Sequence, residues 1–79
     1  GGEAVDEVRG HRVLCPMPGN IMKVLIKEGD EVKKGDNILI LEAMKMENDI
    51  TAEVSGKVSR VFVKTGEVVR EGVPLVEIV

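Results

Sequence analysis

A chain of 79 residues builds one domain, and a domain this small buries only about 60% of the surface that its unfolded form exposes. One cysteine (Cys15) and one histidine (His11) exclude an intrachain disulfide and give no metal-ligand set. A net charge of −3 with both signs interspersed, and Phe62 as the single aromatic, exclude the basic, stacking surface of a nucleic-acid binder.

Residues 1–10 are polar and glycine-containing and read as the end of a flexible linker, with the domain over 11–79. The opening Gly1-Gly2-Glu3-Ala4 has neither the basic nor the apolar stretch of a secretory signal. No apolar run approaches the ~20 residues that cross a bilayer, so no direct membrane insertion is expected. With the sparse cysteine this points to a reducing, cytoplasmic setting. His11–Cys15 is the first strand, with His11 a surface residue and Cys15 a small packed side chain. Pro16 and Pro18 shape the approach to a tight turn. Asn20–Ile26 is apolar and β-branched, and Lys27-Glu28-Gly29-Asp30 is a turn. Val32 belongs to a short polar edge strand guarded by Lys33, and Gly35-Asp36 leads into Ile38–Leu41.

The same series then returns. Shifted by 37 residues, 10–42 aligns on 47–79 without a gap, with identity at Gly19/Gly56, Val24/Val61, Lys27/Lys64, Gly29/Gly66, Val32/Val69 and Gly35/Gly72. Apolar class is kept at further pairs, among them Val13/Ile50, Ile21/Val58, Leu39/Val76 and Leu41/Ile78. The second copy therefore carries strands at Asn48–Ala52, Lys57–Val63, Val69 and Pro74–Ile78. Eight short strands, four per copy and without helical periodicity, predict an all-β domain. Two four-stranded antiparallel sheets packed face to face about a pseudo-twofold axis are the natural arrangement.

Residues 43–46 are the only segment between the copies. The dyad pairs this connection with the chain ends at residues 79 and 10, so the two belong at opposite ends of the domain. Within it, Met44 and Met46 flank Lys45, and exposed thioethers at a hairpin tip suggest contact with another molecule.

Leu41-Glu42-Ala43-Met44-Lys45-Met46-Glu47-Asn48 resembles the biotinylation motif of the biotin carboxyl carrier family. Pro16-Met17-Pro18-Gly19, Val24 to Gly35 and Gly56 are similar to that family's pattern too, so the resemblance covers residues 12 to 79. It implies a flattened β-barrel, or barrel-sandwich hybrid, with the target lysine on the hairpin between strands four and five. It also implies covalent biotin on Lys45, joined by a biotin protein ligase, with Ala43, Met44 and Met46 as the residues that ligase and partner domains recognise. As carboxybiotin the arm would shuttle carboxyl groups between biotin carboxylase and carboxyltransferase or decarboxylase sites. The domain itself would not catalyse: no histidine or buried base is at hand in the sequence to activate the amine, so activation falls to the ligase.

A lipoyl carrier of a 2-oxoacid dehydrogenase complex is the alternative, but its motif usually places Asp where this chain has Met44. The unexpanded turns Lys27–Asp30 and Lys64–Glu67 leave no inserted thumb loop. The chain thus resembles the thumbless carriers of pyruvate, propionyl-CoA and related carboxylases, or of sodium-pumping decarboxylases. The resemblance allows a place in a membrane-associated decarboxylase complex or in mitochondria, and the isolated domain is expected to be monomeric.

Overall fold

The structure is a computed structural model that describes residues 9–79. Residues 1–8 of the linker expected over 1–10 lie outside the described residues. Eight strands follow in order: β1 (His11–Leu14), β2 (Gly19–Val24), β3 (Glu31–Val32), β4 (Asn37–Ala43), β5 (Met46–Thr51), β6 (Gly56–Val61), β7 (Val68–Val69) and β8 (Pro74–Ile78). They form two four-stranded sheets, ordered β1-β8-β6-β3 and β5-β4-β2-β7, and every pairing is antiparallel. Exchanging the two sequence copies (β1 with β5, β2 with β6, β3 with β7, β4 with β8) turns one order into the other. The dyad read from the 37-residue repeat is therefore the symmetry of the fold.

The Cα extents are 36 × 28 × 17 Å. Sheets packed about 10 Å apart produce such a short dimension, and the expected flattened barrel is what the chain forms. The core is also paired by the dyad. Val13/Ile50, Cys15/Ala52, Ile21/Val58, Ile38/Leu75, Leu39/Val76 and Leu41/Ile78 are all buried. At about 25 cal/mol per Å² of apolar surface removed from water, these aliphatic side chains supply the main drive for folding.

Two turns show why the glycines recur. In Lys27–Asp30 the Asp30 amide donates to the Lys27 carbonyl at 3.1 Å, and Glu67 does the same to Lys64 at 3.1 Å. The third residues, Gly29 and Gly66, have φ of 95° and 92°. That region suits glycine and penalises any residue with a Cβ. Each turn hands the chain from one sheet to the other: Gly29 N donates to Val58 O, and Gly66 N to Ile21 O, both at 2.8 Å. The Lys27 amide and ammonium hold the Asp30 carboxyl below the usual carboxylate range.

The strands differ from expectation at three places. β2 ends at Val24, not Ile26, and β6 at Val61, not Val63. Leu25 and Phe62 still donate backbone bonds to Ile38 O and Leu75 O at 2.9 Å, but the chain is already turning toward the opposite sheet. β4 and β5 run on to Ala43 and Met46, which pair directly and leave only Met44 and Lys45 unpaired. Finally, His11 is exposed but has a partner: its Nε2 lies 2.6 Å from Glu53 Oε1, a contact spanning 42 residues.

Among the described residues one charged side chain is buried. Glu77 is 1% exposed. It accepts from Arg12 Nε at 3.0 Å, Ser59 Oγ at 2.9 Å and the Arg9 amide at 3.3 Å. Burial pushes its carboxyl up, yet these hydrogen bonds together outweigh that push and leave it below the ordinary glutamate range. Arg12 and Arg60 lie 5.0 and 4.4 Å from the centre of the Phe62 ring, within cation–π range.

Candidate functional site

The Lys45 hairpin begins where both sheets stop. Leu41 opposes Asn48, Glu42 opposes Glu47 and Ala43 opposes Met46, so the turn has two residues. Met44 and Lys45 both adopt positive φ, 55° and 64°. Two successive left-handed residues make the turn whose twist matches a β-hairpin, a position usually filled by Asn-Gly. Holding two side-chain-bearing residues there costs about 1–3 kcal/mol each. The strand pairing beneath the turn must offset that cost.

Two residues brace the base of the hairpin. Asn48 Nδ2 donates to the carbonyl oxygens of Leu41 and Met46, both at 3.2 Å, tying β5 to β4 two rows below the pair that carries the turn. Gly19 on β2 approaches so closely that a Cβ there would collide with the Glu42 carbonyl oxygen and lie 3.1 Å from Ala43 Cβ. Gly56 has the same relation to the Val79 carbonyl. Residue 79 thus occupies the place at one end of the dyad that the hairpin base occupies at the other.

The four motif residues separate into two groups. Ala43 is 5% exposed and belongs to the core; Met44 and Met46 are 85% and 64% exposed. Lys45 is exposed, and its side chain makes no ion pair or hydrogen bond with a described residue. Beside it runs an open groove of about 370 Å³ bounded by Pro18, Asn20, Glu42, Met44 and Lys45. A lysine on a rigid turn, without a partner and flanked by exposed thioethers, is available to be acylated from outside. No histidine bounds this groove, and its one carboxylate, Glu42, makes no hydrogen bond or ion pair with Lys45.

Asn48 and Gly19 were missed as site residues by sequence reasoning. Asn48 lies inside the quoted motif, and Gly19 recurs at Gly56; those were the available signals. Among the described residues no group of three or more His, Cys, Asp or Glu is placed to hold a metal.

The sequence profile of the biotin-requiring enzyme family matches residues 11–78. The chain belongs to this family. It is similar to the biotin carboxyl carrier protein of Streptococcus mutans, with 49% identity over 64 residues, 81% of this chain and 49% of that protein. To the biotin carboxyl carrier protein of acetyl-CoA carboxylase from Solanum lycopersicum it is 44% identical over 63 residues, 80% of this chain and 90% of that one. Among solved structures, the urea carboxylase of Kluyveromyces lactis superposes with a TM-score of 0.83 at 34% identity. The match covers 98% of this chain and 7% of that enzyme. This biotinyl domain therefore spans about half of the Streptococcus relative and a small part of the urea carboxylase.

Proposed function

We propose that Lys45 is the residue to which biotin is covalently joined, and that the domain carries carboxyl groups between catalytic sites of a biotin-dependent carboxylase or decarboxylase. The observation that carries this reading is the turn itself. Lys45 stands at the two-residue tip of the hairpin, without a hydrogen-bond or ion-pair partner among the described residues, between exposed Met44 and Met46.

The residues present fit a covalently held acyl group. Amide formation between the biotin carboxyl carbon and Lys45 Nζ releases the activating group and a proton, and both leave through the ligase, since no described carboxylate or histidine is hydrogen-bonded to Nζ. The amide is neutral, so attachment removes one positive charge beside Glu42 and Glu47. Bound biotin supplies a site for reversible carboxylation. The chain's own contribution is positional. The paired β4–β5 strands, the Asn48 bridge and the Gly19 contact keep the tip rigid, so that a partner meets one geometry. Ala43, being buried, contributes to recognition through the backbone it lets approach Gly19; Met44 and Met46 offer contact area.

Biotin protein ligase with ATP and biotin should modify the domain once. Intact mass should rise by a single biotin, although Lys23, Lys27, Lys33, Lys34, Lys57 and Lys64 are also present. Lys45→Arg should gain none. A Lys45→Arg protein that still takes up biotin would overturn the assignment.

A further inference from the structure

The dyad provides an internal control for reading the surface, because each position has a counterpart in the same backbone setting. Most pairs keep their chemical class. One groove does not. Beneath β7, Phe62, Val63, Val68, Val69, Val73 and Pro74, together with Glu67 and Arg70, line a cleft of about 310 Å³. Val68, Val73 and Pro74 correspond in the other half to Glu31, Asp36 and Asn37, so three polar side chains of the counterpart are replaced here by apolar ones. Asp36 has a local task, since its carboxylate accepts from the Lys33 amide at 2.9 Å. Val68 has no evident task within the domain: it is 75% exposed, the greatest exposure of any large hydrophobic residue after Met44 among the described residues.

Its position gives it one. Val68 opposes Asn20 on β2, Asn20 opposes Glu42 on β4, and Glu42 opposes Glu47 on β5. Directly opposed residues share a face, so these four form a row across the sheet, one row below the pair that carries the Lys45 turn. Asn20 bounds the Lys45 groove and its pair partner Val68 lines the cleft, so the two depressions lie on neighbouring strands. Val68 thus shares a sheet face with the row beside the Lys45 turn.

We infer that Val68 and the cleft beneath β7 are a second docking point, which takes an apolar side chain from the rim of the catalytic domain that receives the loaded arm. The inference rests on the carrier reading of Lys45. A cleft of about 310 Å³ is at the lower end of ligand pockets, which suits a side chain rather than a free cofactor. Apolar contact there removes Val68 from water, and a carboxylate at the same position would have to be desolvated on each docking.

The test is made in the complete, fully biotinylated enzyme that contains this chain. Val68→Glu copies the residue that the fold already accepts at Glu31, so a purely structural role predicts no loss. Docking predicts that overall carboxyl transfer falls at least fivefold, while ATP-dependent carboxylation of free biotin, which bypasses the carrier, stays unchanged in the same preparation. Val68→Ile should keep the parent rate, and Glu31→Val, at the opposite end, should change neither activity. Unchanged transfer in Val68→Glu would overturn the inference, as would a loss matched by Glu31→Val or by a fall in melting temperature that Val68→Ile shares. Failure of the carrier reading would look different: Lys45 of the parent enzyme would be found without biotin.

Discussion

The two outer faces of the domain share a backbone and differ in chemistry. On one, around β8, Glu77 is buried against Arg12 and Ser59, with Phe62 between Arg12 and Arg60. Around β4 the dyad puts Ile40, Asp49, Met22, Leu25 and Lys23 at the corresponding positions. The first set is an internal polar network, and its Arg9 contact holds the chain where it enters β1. On the second face nothing buried is charged among the described residues, and the polar groups crowd toward Lys45 instead. What the dyad preserves builds the fold. What it breaks belongs to one end only, to the chain's entry or to the Lys45 tip.

The strongest way to break this comparison is at the paired close contacts. Gly19→Ala and Gly56→Ala each drive a methyl group into a backbone carbonyl, and each should cost about 3 kcal/mol of stability in urea titrations. Only Gly19→Ala displaces the hairpin base, so it alone should lower the kcat/KM of biotinylation at a temperature where both variants are folded. Equal effects on biotinylation would mean that the hairpin is not positioned from β2.

The buried carboxylate comes next. Glu77→Gln should lose about 1–3 kcal/mol, because Arg12 and the Arg9 amide lose a charged acceptor. The folded Glu77 is held below its unfolded pKa, so its stabilisation is complete above the unfolded pKa and is lost as pH falls through the folded one. Thermal melts of the parent should therefore decline in acid below the ordinary glutamate range, and Glu77→Gln should flatten that decline. A parallel acid limb in both proteins would show that the network does not carry the linkage.

The turn glycines sharpen the symmetric side of the account. Gly29→Val and Gly66→Val should each cost about 1–3 kcal/mol, in similar measure, since both positions have φ near 90° and open space around them. If both variants melt within a degree of the parent, the left-handed turns are not what holds these corners. The smallest effect on stability is expected at the tip. Met44→Thr and Met46→Thr should leave melting unchanged, because both side chains are exposed, and should slow carboxyl transfer in the biotinylated protein. The lost contact is worth about 1–2 kcal/mol if a thioether is largely buried on docking. A sharp fall in melting temperature with unchanged transfer would make them core residues.

Much of this was legible because the repeat is gapless: the pairs Gly29/Gly66 and Leu41/Ile78 foretell shared turns and a shared core. The hairpin's true ends were not legible, since Ala43 and Met46 read as connector until the Glu42–Glu47 and Ala43–Met46 pairs extend the sheet over them. Glu77 was hidden by distance, its partner Arg12 being 65 residues away. The His11–Glu53 contact was hidden likewise. Val68 looks like an ordinary strand valine beside Val69; only the fold shows which of the two faces outward. Lys45 could be singled out early because its neighbours are methionines, but its freedom from partners is a property of the turn.

That freedom is the central claim, and the native protein tests it most directly. The protein should be purified from the cells that make it, digested, and the peptide containing Lys45 mapped by mass spectrometry. The account predicts one biotin, in amide linkage on Lys45, with every other lysine unmodified. A mature protein with Lys45 unmodified, with a lipoyl mass in place of biotin, or with biotin on another lysine would contradict it.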